Sequence, residues 1–494
     1  MKKLIPIMLA GTGSDVGKSL LAAGLCRVFR QDGFAPAPFK AQNMALNSYA
    51  TPDGFEIGRA QAVQAEAAGV ECCTDMNPLL LKPSGEMTSQ VVLNGKPIGN
   101  RDAYDYFRRE GREELRREVH KAFDRLSKRY NPIVMEGAGS ISELNLRDSD
   151  LVNMPMARYA GAKVILVADI DRGGVFASAY GSIMLQNEED RRRIAGIIIN
   201  KFRGDMRLFE SGRKLMEEIC GVPVLGVVPY MSDIHVEEED SVALGTKATE
   251  ASEHGKINVA VVLLRHISNF TDFNVLERDD RVRLYYTDRP EDLADAQIVI
   301  VPGTKATLDD LYHLRKTGMA AAICKAYDNG KTVFGICGGY QMMGEEVCDE
   351  DGVEGSILRL PGLGLLPMRT VMRDEKVTRQ VCFSFRGGEL VNEGYEIHMG
   401  NTVPVGEYQP LNHRGDGSPE GCMRDERCMG TYIHGSLDNK EVIEYLLAPY
   451  MQVNSISNSP DYKEYKEIQY NLLAERMREY VDIQKLYEIM SSND

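Results

Sequence analysis

The glycine-rich segment at residues 11–19, which reads GTGSDVGKS, constrains the fold of this chain more than any other feature. It follows a short apolar run, residues 5–10, and precedes a helical pattern over residues 20–30. Glycines allow the backbone to curl until its N–H groups point at a bound phosphate, and a helix N-terminus adds partial positive charge. The segment therefore predicts a phosphate-binding strand–loop–helix unit.

Several residues of this loop have the chemistry that a nucleotide needs. The Lys18 ammonium can reach the β- and γ-phosphates, and the Ser19 hydroxyl can bind Mg²⁺. A threonine occupies the position at which the strict pattern has its first glycine, which is displaced to Gly11. A tight turn without a ligand is the alternative, but the Gly-Lys-Ser ending between a strand and a helix favours a nucleotide. The predicted ATP-binding residues of the loop are Thr12, Gly13, Asp15, Gly17, Lys18 and Ser19.

Short β-branched runs alternate with helical patterns along the chain. The runs are residues 5–10, 132–135, 164–168, 194–199, 259–264, 298–301 and 332–336. This alternation predicts α/β folds in which helices cover parallel sheets, and 494 residues are too many for one core. We predict two doubly wound domains, residues 1–236 and 257–450, joined by a linker at residues 237–256 and followed by a helical tail at residues 451–494.

Two further segments of the chain have helical patterns. Residues 101–129 are amphipathic and rich in Arg and Glu. The tail, from residue 441 to residue 490, has apolar side chains at a helical spacing, which predicts a docked amphipathic helix. These apolar residues are Leu472, Leu473, Met477, Tyr480, Val481 and Leu486.

Two further segments of the first domain carry chemistry at the ends of predicted strands. Glu136, in the segment EGAG, directly follows the run at residues 132–135. Because ligands of open parallel sheets collect at the carboxyl ends of the strands, we expect Glu136 to hold Mg²⁺ opposite Ser19. Lys40 also follows a strand-like run, and a second lysine suits the charge that develops on a transferred phosphoryl group. For Lys40, a surface position beside a turn is the alternative.

Together these motifs resemble the dethiobiotin-synthetase-like ATPases. The resemblance implies a P-loop domain that uses ATP to phosphorylate a carboxylate. It also implies that Asn200, in the segment IINK, contacts the nucleotide base. A polar cap at the end of a strand is the alternative for Asn200.

In the second domain, residues 335–341 read GICGGYQ and follow the predicted strand at residues 332–336. The pattern is typical of a nucleophile elbow, a sharp strand-to-helix turn that needs small residues beside the nucleophile. A helix N-terminus favours the thiolate of Cys337, and a histidine elsewhere must act as its base. His434 follows a short strand late in the chain and is the predicted partner. The alternative, a buried structural thiol, does not explain the glycines around Cys337.

The elbow resembles that of the class I glutamine amidotransferases. The resemblance implies a flavodoxin-like sheet, an oxyanion hole from the N–H groups of Gly303 and Gly338, and glutamine binding by Gln341. Most members have a glutamate two residues after the histidine to orient it, but this chain has Ser436 there. Either another group, for which Glu396 is a candidate, orients His434, or a Cys–His dyad suffices.

The whole chain resembles the cobyric acid synthase family, in order, from the first strand to near the C-terminus. The resemblance implies glutamine- and ATP-dependent amidation of the b, d, e and g carboxylates of adenosylcobyrinic acid a,c-diamide, which gives adenosylcobyric acid, a vitamin B12 precursor. It makes residues 43–90 the candidate corrinoid contacts, although turn and cap roles are an alternative for them. The motifs that carry the resemblance are PFKAQNMALNS, EIGRAQ, DMNP, LKP, VADIDRGGVF, ISNFTDF and GYEIHMG. The candidate corrinoid-binding residues are Asn43, Asn47, Arg59 and Asn77.

Charge and composition restrict the partners further. A net charge of -15 argues against a general nucleic-acid binder, so we expect small-molecule partners only: corrinoid, ATP with Mg²⁺, and glutamine. No apolar run reaches membrane-spanning length, and ten cysteines without metal-site spacing predict reduced thiols in the cytoplasm.

Three other functions compete with this interpretation. A cobyrinic acid a,c-diamide synthase would share the domain layout but act on other carboxylates. A ParA/MinD-like ATPase switch would explain the phosphate loop but not the Cys337 motif. A synthase with an inactive glutaminase half, fed by free ammonia, is motivated by Ser436.

Overall fold

The computed structural model of the chain describes residues 3–83, 88–102, 112–237, 247–251, 255–451 and 461–491. Two α/β halves follow one another in sequence, and the C-terminal tail returns to the first. The strands of the first half are β1 (Ile7–Gly11), β2 (Ala37–Phe39), β3 (Gln42–Met44), β4 (Ser48–Ala50), β5 (Glu56–Gly58), β6 (Leu79–Pro83), β7 (Thr88–Leu93), β8 (Lys96–Asp102), β9 (Ile133–Glu136), β10 (Lys163–Asp169), β11 (Ile194–Phe202) and β12 (Val224–Pro229). Its helices are α1 (Lys18–Gln31), α2 (Arg59–Ala68), α3 (Arg112–Arg129), α4 (Met154–Ala160), α5 (Val175–Met184), α6 (Glu188–Arg193) and α7 (Glu210–Cys220).

A parallel sheet in the order β12-β11-β10-β1-β9-β2 forms the centre of the first half. Alternate side chains of β1 enter different cores: Met8 and Ala10 lie in one, and Ile7 and Leu9 lie in the other. Helices therefore cover both faces of the sheet, as predicted. The strand order changes direction beside β1, which places a ligand crevice at the carboxyl ends of β1 and its neighbours.

Between β2 and α3 the chain forms two small additional sheets. One has the order β3-β6-β7-β8, and the other is the β4–β5 hairpin. This insertion contains most of the polar segment that was predicted to contact the corrinoid. It also supplies several contacts of the first half with the second half.

The second half contains a doubly wound sheet and a smaller mixed sheet. Its strands are β13 (Ile257–Val262), β14 (Val282–Thr287), β15 (Ile298–Val301), β16 (Thr332–Ile336), β17 (Glu346–Cys348), β18 (Arg359–Pro361), β19 (Met368–Phe385), β20 (Asn392–Pro404), β21 (Asn412–Arg414), β22 (Pro419–Glu420), β23 (Cys422–Asp425) and β24 (Cys428–Thr431). Its helices are α8 (Asn274–Arg278), α9 (Thr307–Thr317), α10 (Met319–Asp328), α11 (Gly338–Met343) and α12 (Lys440–Leu447).

The larger sheet has the order β14-β13-β15-β16-β24-β23, in which only the edge strand β23 runs antiparallel. The parallel strands therefore follow the 2-1-3-4-5 order of flavodoxin-like sheets. The prediction of two doubly wound domains is confirmed. In the smaller sheet, β19 and β20 form a long antiparallel pair whose middle approaches the first half.

The tail forms α13 (Tyr462–Tyr480) and α14 (Ile483–Ser491), which dock on the first half rather than on the second. A Cβ on Gly24 would lie 2.6 Å from Met477 Cγ, so a glycine on α1 allows the helices to approach closely. Leu473, Met477 and Leu486 are fully buried in one of the two cores of the first sheet. The predicted apolar face therefore exists, and it completes the N-terminal core.

All predicted strands occur, with ends displaced by at most a few residues. The predicted helix at residues 101–129 begins too early, because Arg101 and Asp102 pair with β7 as the end of β8; residues 103–111 lie outside the described part. Most of the predicted linker also lies outside it, but Glu237 is buried. Among the helices that the structure describes, none combines the length and the apolar character that crossing a bilayer requires.

Candidate active sites

The phosphate loop lies between β1 and the N-terminus of α1, at the crevice of the first sheet. A Cβ on Gly11 would lie 2.7 Å from both Gly13 O and Lys18 Nζ, so the displaced glycine is sterically required. The backbone N–H of Thr12 donates to Val167 O at 3.0 Å, which ties the loop to β10. Lys18 Nζ donates to Gly13 O at 2.9 Å and to Gly139 O at 3.1 Å. Lys18 thus connects the phosphate loop to the EGAG segment through two hydrogen bonds.

The buried carboxylate of Glu136 forms hydrogen bonds with other predicted residues of this site. Its Oε1 accepts hydrogen bonds from Ser19 Oγ at 2.8 Å and from Lys40 Nζ at 2.9 Å. Its Oε2 accepts a hydrogen bond from Gln64 Nε2 at 2.8 Å. Burial favours the neutral acid, but the charge of Lys40 and the hydrogen bonds outweigh burial and lower the pKa of Glu136. Glu136 is therefore an anion at neutral pH.

Sequence reasoning missed Gln64, which lies in the middle of α2. Its amide also donates to Ser19 O at 3.3 Å, so it holds both the loop and the carboxylate. A buried glutamine on a helix that follows a polar segment was the available signal.

The loop has an excess of positive charge. Burial lowers the pKa of Lys18, Glu136 and Asp15 oppose this, and the nearby Lys40 and Lys201 act with burial, so that the pKa of Lys18 is about 8. Ammonium groups that destabilise one another in this way attract a polyanion such as a triphosphate.

Asn200 lies beside the loop at the end of β11. Its Nδ2 donates to Val16 O at 2.8 Å, and a Cβ on Gly17 would lie 2.2 Å from the same Nδ2. Gly17 also has φ 93°, a conformation that favours glycine. The contact of Asn200 with a nucleotide base stays a prediction.

A cavity of about 1210 Å³ opens from the phosphate loop. Its lining includes Lys18 and Glu136 beside the phosphate loop, and Asn43 and Met44 of β3. It also includes Arg112, at the start of α3, and residues just before α4. Small-molecule sites typically occupy about 300–1,000 Å³, so this cavity has room for a nucleotide and part of a second substrate.

The predicted corrinoid residues have different surroundings. Asn43 lines the cavity, and its Nδ2 donates to Gln61 Oε1 at 3.0 Å. Arg59 is buried in an ion pair with Glu237, with 2.7 Å between Nε and Oε2. Asn77 Nδ2 donates to Lys40 O at 3.0 Å, and Asn47 O accepts the Arg59 backbone N–H at 3.2 Å. Arg59, Asn77 and Asn47 thus have structural contacts, and their contact with the corrinoid stays a prediction.

The second site is a nucleophile elbow between β16 and α11. Cys337 has φ 50° and ψ -109°, a strained conformation for a residue with a side chain. A Cβ on Gly339 would lie 1.9 Å from Val301 O, and one on Gly335 would lie 2.9 Å from Tyr340 N. The glycines around Cys337 are therefore sterically required by the turn.

The other predicted glutaminase residues converge on Cys337. A Cβ on Gly338 would lie 3.0 Å from Thr304 N, and one on Gly303 would lie 3.2 Å from His434 Cε1. The two segments expected to form the oxyanion hole are thus in contact. Gln341 is buried, and its Oε1 accepts a hydrogen bond from Thr307 Oγ1 at 2.9 Å.

His434 is buried near Cys337, whose thiol donates to Ile397 O at 3.5 Å, and its ring stacks on that of Tyr395 with 5.3 Å between centroids. Its Nδ1 lies 2.7 Å from Oδ2 of Asp272. Burial disfavours the imidazolium, but the charges of Asp272 and Cys337 outweigh burial and raise the pKa of His434 to about 10. The environment of His434 therefore stabilises its imidazolium form.

The expectation that Glu396 orients His434 is wrong. Glu396 forms ion pairs with Arg379 Nη2 at 2.7 Å and with Arg414 Nε at 2.8 Å. Burial opposes its charge, but His398, whose Nε2 lies 3.8 Å from Oε2, and the two arginines lower the pKa of Glu396 to about 2. The alternative of a Cys–His dyad does not describe the geometry either, because Asp272 contacts the ring.

The two halves meet through the β4–β5 hairpin. The Ser48 backbone N–H donates to Asn269 Oδ1 at 2.9 Å, and the rings of Tyr49 and Tyr395 lie 4.7 Å apart. Glu56 is fully buried, and it pairs with Lys82 Nζ at 2.7 Å and with Lys376 of β19. The glutaminase side of the interface includes Tyr395, the residue that stacks on His434.

Comparison with known proteins identifies a family for each half of the chain. Residues 7–242 match the family described as CobQ/CobB/MinD/ParA nucleotide binding domain, and residues 258–442 match the CobB/CobQ-like glutamine amidotransferase domain. A cobyric acid synthase of Phocaeicola vulgatus is 68% identical over 100% of both chains, and one of Bacteroides fragilis is 67% identical over 100% of both. One of Parabacteroides distasonis is 54% identical over 98% of both chains.

The chain belongs to the cobyric acid synthase family. Cobyric acid synthases of this layout are glutamine-dependent amide-forming ligases of cobalamin biosynthesis, and this chain has their ATP-using and glutaminase domains. Neither an a,c-diamide synthase nor a ParA/MinD-like switch is favoured, because the full-length relatives are cobyric acid synthases.

Proposed function

We propose that this protein uses Mg-ATP and glutamine to amidate the b, d, e and g carboxylates of adenosylcobyrinic acid a,c-diamide, giving adenosylcobyric acid. The observation that carries the proposal is the presence, in one chain of this family, of a phosphate loop whose Ser19 meets Lys40 at Glu136 and of a strained thiol elbow at Cys337. The first would activate a carboxylate, and the second would supply its nitrogen.

The activation step follows from the chemistry of the first site. A carboxylate is a poor acyl donor because its leaving group would be oxide, so the γ-phosphoryl group of ATP is transferred to it. Lys18 and Lys40 lie where they can stabilise charge on the moving phosphoryl group. The acyl phosphate is then open to attack by ammonia.

Ser19 and Glu136 fit a Mg²⁺ site. Their oxygens lie 2.8 Å apart, and a hydroxyl with a carboxylate is a donor set that Mg²⁺ prefers. Mg²⁺ bound there would neutralise part of the phosphate charge. Lys40 and Gln64 hold the carboxylate in place for this role.

The ammonia step uses Cys337 and His434. Once the thiol proton lies on the imidazole, the sulfur attacks the glutamine carboxamide, and the imidazolium gives the proton to the leaving nitrogen as ammonia forms. The N–H groups of Gly303 and Gly338 would bind the oxyanion, and Gln341 would help to hold glutamine. His434 then takes a proton from water, which hydrolyses the thioester to glutamate.

Ammonia must reach the acyl phosphate without being protonated in solvent, so we propose that it crosses the interface between the halves. The support is the direct contact of Tyr395, beside His434, with Tyr49 of the first half. An ammonium scavenger in the solvent should then leave glutamine-driven amidation intact, and abolition of the reaction would refute the transfer.

We also propose a division into domains. Residues 1–236 would bind ATP and the corrinoid, residues 257–450 would bind glutamine, and residues 237–256 would link the two. The tail at 451–494 would belong to the ATP-binding part, because α13 packs on α1. We place the corrinoid in the cavity beside Asn43, and we propose a cytoplasmic enzyme with no nucleic-acid partner.

The test is mass spectrometry of adenosylcobyrinic acid a,c-diamide after incubation with the protein, Mg-ATP and amide-¹⁵N glutamine. Four labelled amides would support the reaction, its nitrogen source and the cooperation of both halves. An unchanged corrinoid, with ATP and glutamine intact, would refute it. Cys337→Ala should lose glutamine hydrolysis but retain amidation driven by ammonium chloride, which separates an active glutaminase from an inactive one.

A further inference from the structure

Asp272 is a buried carboxylate to which the class I amidotransferase pattern assigns no role. It lies in the 3₁₀ turn Phe270–Phe273, 162 residues before His434 in sequence. Its Oδ2 lies 2.7 Å from His434 Nδ1, and its Oδ1 accepts the Gly435 backbone N–H at 3.0 Å. The two side chains are 3% and 1% exposed. Both carboxylate oxygens are therefore fixed, one on the ring and one on the following residue.

We propose that Asp272 is the positioning residue of the glutaminase, which holds His434 with Nδ1–H toward the carboxylate and Nε2 toward Cys337. This inference depends on the proposed glutaminase function. The acid comes from a turn that precedes the elbow in sequence, instead of from the position two residues after the histidine. At that position Ser436 is buried, and its hydroxyl has no hydrogen-bond partner among the described residues.

Among the groups packed around the His434 ring, Asp272 supplies the negative charge that stabilises the imidazolium. Cys337 faces it from the elbow, Tyr395 from β20 and Asp272 from the 3₁₀ turn. Asp438 lies near Gly435, but desolvation raises the pKa of Asp438 well above its usual range, which favours its neutral form. Apart from the thiolate formed in the reaction, Asp272 is the anion in contact with the imidazolium.

The turn that carries Asp272 is itself held by the other half of the protein. The Asp272 backbone N–H donates to Asn269 O at 3.0 Å, and Asn269 Oδ1 accepts the Ser48 N–H across the interface at 2.9 Å. Asn269 has φ 53°, which a short amide side chain tolerates better than most residues. Domain docking therefore fixes the position of the acid.

The experiment compares glutaminase kcat/KM against pH for wild type, Asp272→Asn and Ser436→Ala, with Cys337→Ala in parallel. Asp272→Asn should lose about 10²- to 10⁴-fold at neutral pH, the range of general acid–base catalysis. The alkaline limb of its profile should also move to lower pH by about 1–3 pH units, because the imidazolium loses its anion. Ser436→Ala should keep the wild-type profile, and ammonium-driven amidation should survive in all these variants.

A wild-type profile in Asp272→Asn, or a lower rate with an unmoved alkaline limb, would overturn the positioning role. If Cys337→Ala still hydrolysed glutamine, the proposed glutaminase would fail instead. Should Asp272→Asn not fold, nitrogen-15 histidine spectra of the wild type decide, with His434 assigned by His434→Gln. An imidazolium signal that persists at pH 8 supports the inference, and a neutral ring at that pH overturns it.

Discussion

The buried ion pair between Glu56 and Lys376 should couple the two halves, and Lys376→Met tests this. Glu56 is 0% exposed and Lys376 6% exposed at the interface. Glu56 also bonds Ser48 Oγ at 2.7 Å, and the Ser48 backbone contacts Asn269. One carboxylate therefore links β19 to the hairpin that touches the turn of Asp272.

The size of the effect follows from what remains after the substitution. Removing one partner of a buried pair costs about 3–5 kcal/mol when the other charge is left alone. Glu56 keeps Lys82 at 2.7 Å, so the loss should be closer to that of one charged hydrogen bond, about 1.5–3 kcal/mol. Because 1.4 kcal/mol is tenfold, the ratio of docked to undocked halves should fall by about 10- to 150-fold.

The assay supplies amide-¹⁵N glutamine together with excess unlabelled ammonium chloride and measures the label in each new amide. Undocking should let nitrogen from the solvent compete, so the unlabelled fraction and the glutamate released per amide should both rise in Lys376→Met. Lys463→Met is the matched control, because Lys463 pairs with Glu393 but both are well exposed, and such pairs contribute little. If the two variants gave the same unlabelled fraction, the coupling argument would be refuted.

Other predictions concern single sites. Gly339→Ala should abolish glutamine hydrolysis while ammonium-driven amidation remains, because the new Cβ would lie 1.9 Å from Val301 O; retained hydrolysis would contradict the elbow geometry. ATP affinity, measured by calorimetry, should fall as pH rises through about 8, because burial lowers the pKa of Lys18 and the ammonium that binds phosphate is lost above it; Lys18→Met should bind weakly and without this pH dependence. Met477→Ala should lower the free energy of unfolding by about 2–5 kcal/mol in urea titrations, since Met477 is fully buried between the tail and α1; a change under about 0.5 kcal/mol, the size of surface effects, would show that the tail is not docked.

The sequence was sufficient to predict those features in which a local residue pattern and its chemistry indicate the same structure. The runs that became β1, β10, β13 and β16 are β-branched and bounded by turns, so periodicity alone located them. The phosphate loop and the elbow were equally predictable from the sequence, because each needs glycines at fixed offsets from one reactive residue. The helix start at residue 101 failed because charged residues suit an edge strand as well as a helix.

Contacts between segments that are distant in sequence could not be predicted from local patterns. Gln64 and Asp272 reach their sites only through tertiary packing, from a helix in the insertion and from a short turn. The same applies to the tail, whose apolar face was predictable but not its docking partner. A residue pattern specifies which face is apolar, whereas the complementary surface depends on the whole fold.

Asp272 shows why the site tolerates a departure from the family pattern. An imidazole needs an acceptor at Nδ1 within hydrogen-bond distance, and that requirement concerns position in space rather than position in the chain. At His434 the acceptor comes from a turn that also contacts the ATP-binding half through Asn269. A glutamate beside the histidine would orient the ring whether or not the halves were docked. An acid on the interface turn orients it best when they are docked, so ammonia is released when the site that consumes it is in place.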